Sequence, residues 1–505
     1  MNIKEAKIEI KHALLAYHQK DSQGHYKYPL LRQRPILLIG PPGIGKTAIM
    51  EQISKECSVG LVAYTMTHHT RQSAIGLPKI VSRTYDGKEV SVTEYTLSEI
   101  ITSVYDCMEK SGCREGILFI DEINCVSETL APTMLQFLQN KAFGSHKIPE
   151  GWMIVAAGNP PEYNKSVREF DIVTLDRVRK IEIQPDLSAW MEYAWEKGIH
   201  GCILSYLNMK QEHFYLIENH ADQKSFVTAR GWEDLSEILK SYEDLSLETS
   251  EELVLQFLQH KETARDFFAY YQLYGKYGTD YGIPQILSGS ASSDTYTKKV
   301  LLAQKGSFEE RFTVIGLILD ALNHDFAVFE EQELTLALLH QFLKHFKNYL
   351  STQPDMQCFS AYIKDCRQRL ETKESMELAS LSELLREEKV IRQLEQYHLF
   401  LREKHLLNKD AGFQQIQEFF QQNLTIRKAE IAEHKASLNR AFAFVQDCFG
   451  TEQEMILFVS SLTRNQRITQ FISEHGCDAY FRHSRQLLHL IPEQELQQQC
   501  EEMMK

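Results

Sequence analysis

Eight consecutive residues, Gly40-Pro41-Pro42-Gly43-Ile44-Gly45-Lys46-Thr47, carry the spacing G-x-x-x-x-G-K-T, and each residue type has its own chemical use. Glycines let backbone N–H groups converge on phosphate oxygens, and a helix opening at Lys46 and Ala48 points the positive end of its dipole at them. Lys46 can then reach β- and γ-phosphates, and Thr47 can ligate Mg²⁺. The run Gly40 to Ala48 is therefore read as a triphosphate cradle.

A second stretch, "GILFIDEIN", puts Asp121 and Glu122 at the end of an apolar run. Acidic residues at the carboxyl edge of a parallel sheet lie beside such a cradle. Asp121 is expected to hold the Mg²⁺ shell, and Glu122 to orient and deprotonate an attacking water. The third stretch, "WMIVAAGNPPEY", ends in Gly158-Asn159-Pro160. Alone, Asn159 would simply begin the turn before two prolines. Third in order behind the other two, it reads as a sensor of the γ-phosphate.

These residues need a scaffold that brings three distant segments to one edge. "ILLIG", "GLVAYT", "GILFIDE", "WMIVAAGN" and "RKIEIQ" are short apolar runs alternating with helical periodicities between residues 31 and 185, which implies a parallel sheet with helices on both faces. Within that region Asp86-Gly87, flanked by alternating residues, predicts an inserted hairpin. Residues 1–30 read as an amphipathic helix and a polar turn.

After about residue 186 the strand signal fades and helical patterns run to the end, with the Ser/Gly-rich stretch 285–299 as linker between a helical region 186–284 and a helical C-terminal region 300–505. Leu334, Leu338, Phe342 and Phe346, four residues apart, predict one amphipathic helix there.

Composition narrows the function. A chain of 505 residues holds roughly two to four domains, and 43% apolar residues suffice for real cores. The net charge of −14 argues against broad attraction to nucleic acid or an anionic membrane, and favours protein partners. No run approaches the roughly 18 apolar residues of a spanning helix and no secretory leader is visible, so a cytoplasmic location is expected. The 10 cysteines form no C-x-x-C pair and no cluster with histidine, which fits reduced thiols rather than a zinc site.

With the three motifs in order, the sequence resembles the AAA+ ATPases, and more closely their MoxR-like branch. "GPPGIGKT", "AIGLPKI", "LFIDEIN", "AAGNPPEYN", "TLDRVRKIEI" and "TARGWEDLSEILK" carry the resemblance over roughly residues 31–240. It implies an α/β P-loop NTPase core with a parallel sheet of the AAA+ type, followed by an α-helical lid and the large α-helical C-terminal region. It also implies ATP and Mg²⁺ as ligands, a ring of subunits, commonly a hexamer, and a protein client, with a separate von Willebrand factor A domain protein as one candidate.

By the same resemblance, Arg177 in "LDRVRK" is the finger supplied to a neighbouring subunit, with Arg179 and Arg168 as competitors. Arg230 in "TARGW" matches the second sensor on the lid, although Ala229 stands where the family usually has proline. His68, His69 and Arg71 could line a pore, touch a partner or occupy a polar loop. Remodelling of a client is the first reading of function. An ATP-gated binding module with slow hydrolysis is the second, and a nucleic-acid motor, disfavoured by the acidic balance, the third.

Overall fold

The five apolar runs become the five strands of one parallel sheet. The computed structural model describes residues 1–66, 76–85, 88–143, 146–163, 167, 170–219, 224–353, 355–375, 381–406 and 408–485. Its contacts divide into two units, Met1–Trp190 with Phe214–Trp232, and Met191–His213 with Glu233–Lys505.

In the first unit, α1 (Ile3–Tyr17) opens on a reciprocal cap: the Asn2 side chain accepts from Glu5 N at 2.8 Å while the Glu5 carboxylate accepts from Asn2 N at 3.0 Å. Then come β1 (Ile36–Ile39), α2 (Lys46–Cys57), β2 (Gly60–Thr65), the hairpin strands β3 (Pro78–Tyr85) and β4 (Lys88–Tyr95), α3 (Glu99–Ser111) and β5 (Gly116–Asp121). Helix α4 (Ala131–Asn140), short strands β6 (Ala142–Phe143) and β7 (His146–Lys147), β8 (Trp152–Gly158), α5 (Ile172–Leu175) and β9 (Arg179–Glu182) complete the core.

The sheet order is β2-β5-β8-β1-β9, and every pairing is parallel. Side chains alternate between its faces, as a period of two requires. Leu37, Leu118, Ile120, Ile154 and Ala156 enter one apolar cluster with α3 and α4; Ile36, Leu38, Ile117, Phe119, Met153 and Val155 enter the other with α1 and α2. This order puts β1 beside β8 and β8 beside β5, so the three motif-bearing segments end on one edge. In the hairpin, Tyr85 pairs with Lys88; Asp86 and Gly87 lie outside the described residues.

Strand structure does not stop at residue 186. Beyond α6 (Leu187–Lys197) and α7 (Gly201–Met209), β10 (Leu216–Asn219) and β11 (Lys224–Val227) form an antiparallel pair. Each has only four residues, too few for alternation to stand out from a helical background. Helix α8 (Ala229–Asp244) follows.

The second unit is helical: α9 (Glu251–Phe257), α10 (Lys261–Tyr281), α11 (Ile283–Leu287), α12 (Ser293–Lys305), α13 (Phe308–Ser351), α14 (Cys358–Ser375), α15 (Leu381–Glu403), α16 (Lys409–Phe449), α17 (Gln453–Arg464) and α18 (Gln466–His475) follow α8. Helices α11 and α12 take up much of residues 285–299. By length and composition α13 could cross a membrane, but 56% of its most apolar window is buried inside the protein. Val314, Ile315, Ile318, Leu319 and Leu322 are all buried there, and the helix packs on α7, α10, α17 and α18.

Further along α13 the buried stripe is Leu339, Leu343, Phe346 and Leu350, packed on Phe359 of α14, Val390 of α15 and Ile416 of α16. The expected four-residue series drifts across the helix by about 40° a step: Leu334 is exposed, Leu338 and Phe342 are half-buried, and only Phe346 reaches the core.

Candidate functional site

The loop between β1 and α2 needs its glycines for geometry. Gly43 and Gly45 take φ of 73° and 91°, the left-handed region that side chains disfavour. A Cβ on Gly40 would come 2.9 Å from the Ile183 carbonyl oxygen. The loop delivers Lys46, only 8% exposed, into a ring of acceptors. Its Nζ donates to Gly40 O at 2.7 Å, Pro41 O at 2.9 Å and Asn159 Oδ1 at 2.9 Å. Burial pushes the Lys46 ammonium down to about 8; the Asp121 and Glu122 charges pull it up, and that of Arg230 pushes it further down.

At the neighbouring strand end, Thr47 Oγ1 donates to Asp121 Oδ2 at 3.2 Å, and Asp121 Oδ1 accepts from Glu122 N at 2.9 Å. An alcohol and a carboxylate converging at a helix N-terminus are hard oxygen donors, the set that suits Mg²⁺. Glu122 itself sits at φ 55°, a costly conformation for a residue with a Cβ. It turns the chain out of the sheet and leaves the Glu122 side chain half-buried at the edge.

Asn124, two residues on, was not singled out by the sequence reading although it stands inside "GILFIDEIN". It is 5% exposed. Its Nδ2 donates to Asn159 O at 2.7 Å, and its Oδ1 accepts from Asn159 N at 3.3 Å. Asn124 and Asn159, with Gly40, Pro41 and Tyr163, line a cavity of about 590 Å³ at the carboxyl ends of β1 and β8, within the usual size of small-ligand sites.

The segment around β10 and β11 closes on the loop from the other side. Tyr215 donates its hydroxyl to Pro42 O at 2.8 Å, and burial pushes its phenol well up. Arg230 N donates to Gly43 O at 3.2 Å. Thr228 Oγ1 accepts from Gly231 N at 3.2 Å, capping α8, and lies 3.0 Å from where a Cβ on Gly43 would stand. The Arg230 side chain is exposed. The threonine two residues before Arg230 was readable as a cap; Tyr215 gave no signal, since nothing in "FYLIEN" indicates what its hydroxyl meets.

The arginine candidates separate. Arg177 follows α5 and bonds through its guanidinium to Gln139 Oε1. Arg179, on the edge strand β9, pairs with Glu9 of α1 at 3.3 Å. Arg168, His68, His69 and Arg71 lie outside the described residues. Helix α5 is capped by Asp171, whose Oδ1 accepts from Thr174 N at 2.7 Å; the bonds to Thr174 hold its carboxyl below the usual range.

Comparison with known proteins bears on this unit. Residues 35–178 match the AAA domain of the dynein-related subfamily. No curated protein matches the chain. Among solved structures, a protein from Cytophaga hutchinsonii whose ATPase assignment is itself provisional aligns at 15% identity and a TM-score of 0.21, over 36% of this chain and 50% of that one. The chain thus spans about half of that structure, and so slight a likeness supports nothing further.

Proposed function

We propose that this chain, an ATPase of the AAA type by its domain at residues 35–178, hydrolyses ATP within a ring of subunits and uses the energy to remodel a protein client. The observation that carries the reading is the convergence of Lys46, Asn159, Thr47 and Asp121 on one sheet edge, joined by bonds of 2.9 and 3.2 Å. Lys46 exchanges its carbonyl acceptors for β- and γ-phosphate oxygens, and Asn159 hydrogen-bonds the γ-phosphate or the attacking water. Glu122 takes a proton from that water as its oxygen bonds to the γ-phosphorus. The bond to the β–γ bridging oxygen breaks, and ADP and phosphate leave.

Mg²⁺ held by Thr47 and Asp121 would supply charge neutralisation at the β- and γ-oxygens. Positioning and electrostatics provide most of the catalysis, as phosphoryl transfer asks for little covalent chemistry from a protein. Arg230 acts from the head of α8, and Arg177 in the site of the next subunit. Ile172 and Val173 on α5, a few residues before Arg177 in sequence, are 84% and 58% exposed, and the neighbouring subunit would cover them. The MoxR-like motif order favours a hexamer and a chaperone-like role, with a von Willebrand factor A domain protein as candidate client.

Glu122→Gln tests the reading. It should keep nucleotide affinity and abolish phosphate release, and in ATP it should retain its client on affinity purification. Absence of phosphate release by the wild-type ring with its client would leave an ATP-gated binding module. Turnover raised by DNA or RNA, with steeply salt-sensitive binding, would instead favour a nucleic-acid motor.

A further inference from the structure

We infer that Asn124 is a positioning residue of the hydrolytic centre: its side-chain amide fixes the Asn159 backbone, and so the Asn159 side chain, against Lys46. The inference rests on the ATPase reading and deepens it.

The parallel pairing of β5 with β8 ends at Ile120 opposite Ala156. Glu122, at φ 55°, then carries the chain away, and one further main-chain bond, Ile123 N to Ala157 O at 2.9 Å, holds the two segments together. Asn159 stands beyond that bond, and Pro160 and Pro161 after it have no N–H with which to continue a ladder.

The Asn124 amide takes the place of the missing strand. One carboxamide offers a donor and an acceptor like a peptide group, and here it satisfies Asn159 O at 2.7 Å and Asn159 N at 3.3 Å. Gly158 is the accommodation for it, because a Cβ there would lie 2.5 Å from Asn124 Oδ1. With its backbone held at both polar groups, Asn159 presents Oδ1 to Lys46 Nζ at 2.9 Å. The loop that carries Glu122 and the amide that meets Lys46 are thereby one hydrogen-bonded piece. A displacement of about 1 Å at such a site can cost on the order of 100-fold in rate.

The test compares wild type, N124A, N159A and the N124A/N159A pair by steady-state phosphate release and by ATP affinity. N124A should lower kcat by about 100-fold and leave ATP affinity within about threefold, because the loop N–H groups and Lys46 remain. In the pair, N124A should add nothing to N159A, since it acts through Asn159. A full, multiplicative loss in the pair, or wild-type kcat in N124A, would overturn the inference.

Restored kcat in G158A/N124A, where the new methyl fills the vacated space, would reduce Asn124 to a filler and also overturn it. If circular dichroism shows N124A unfolded, N124D decides instead. It keeps the acceptor for Asn159 N and loses the donor to Asn159 O, and should lower kcat with ATP affinity kept; unchanged kcat would refute the assignment. No phosphate release by the wild type is a separate failure, that of the ATPase reading.

Discussion

Tyr215 donates its hydroxyl to the Pro42 carbonyl at 2.8 Å, across 173 positions of sequence. With Arg230 N on Gly43 O at 3.2 Å, it makes Tyr215 and the head of α8 a second wall of the phosphate loop. The loop's shape is thus set from outside the βα unit that contains it.

Tyr215→Phe removes that one bond and little else. A neutral hydrogen bond contributes about 1 kcal/mol, so ATP affinity should fall by about fivefold. The same loss should lower the thermal midpoint by only a few degrees, because the ring stays packed. Titration of a fluorescent nucleotide measures the effect, and unaltered affinity would show that the latch does not shape the loop.

How far such relations were legible in the sequence depends on how local they are. The five core strands were visible because a parallel sheet covered on both faces needs continuous apolar runs; Asp121, Glu122 and Asn159 because each ends such a run, and Lys46 because the glycine spacing before it is specific. Tyr215 and Asn124 act through contacts made only when distant segments meet, so their residue types carry no mark of the role. On α13, the true stripe Leu339, Leu343, Phe346 and Leu350 alternates steps of four and three, which follows the helix where a constant step of four does not.

Lys46 should make both stability and binding depend on pH. Its pKa lies near 8 in the folded chain against an ordinary 10.5, because burial disfavours the charge. Below 8 the amine is protonated in both states and folding bears the full desolvation cost. Between 8 and 10.5 the unfolded chain holds the proton and the folded one does not, so stability rises with pH across that window.

Lys141, pushed down to about 7 by burial alone, adds a rise of the same sign from lower pH. K46M and K141M should each remove their own part from urea titrations. A bound triphosphate favours the charged Lys46, so ATP affinity should weaken by up to about tenfold per pH unit above 8. Affinity flat from pH 7 to 9.5 would contradict the assignment.

The two described arginine candidates should fail differently. Arg179 is engaged with Glu9 of its own subunit, so R179A should loosen α1 slightly, by the 0–1 kcal/mol typical of an exposed pair. Arg177 bonds to Gln139 and its charge acts on the Asp171 carboxylate that caps α5, both at the surface, so R177A should change the thermal midpoint only slightly. If Arg177 completes the neighbour's site, turnover of the assembled ring should fall by about 1,000-fold or more. Subunit mixing isolates the trans action: E122Q and R177A are each inactive, but an R177A subunit keeps Glu122 and an E122Q neighbour keeps Arg177. Mixed rings should therefore regain part of the wild-type rate through interfaces that pair the intact halves. No recovery in verified mixed rings would remove Arg177 from the trans role, and recovery of an R179A mixture only would pass that role to Arg179.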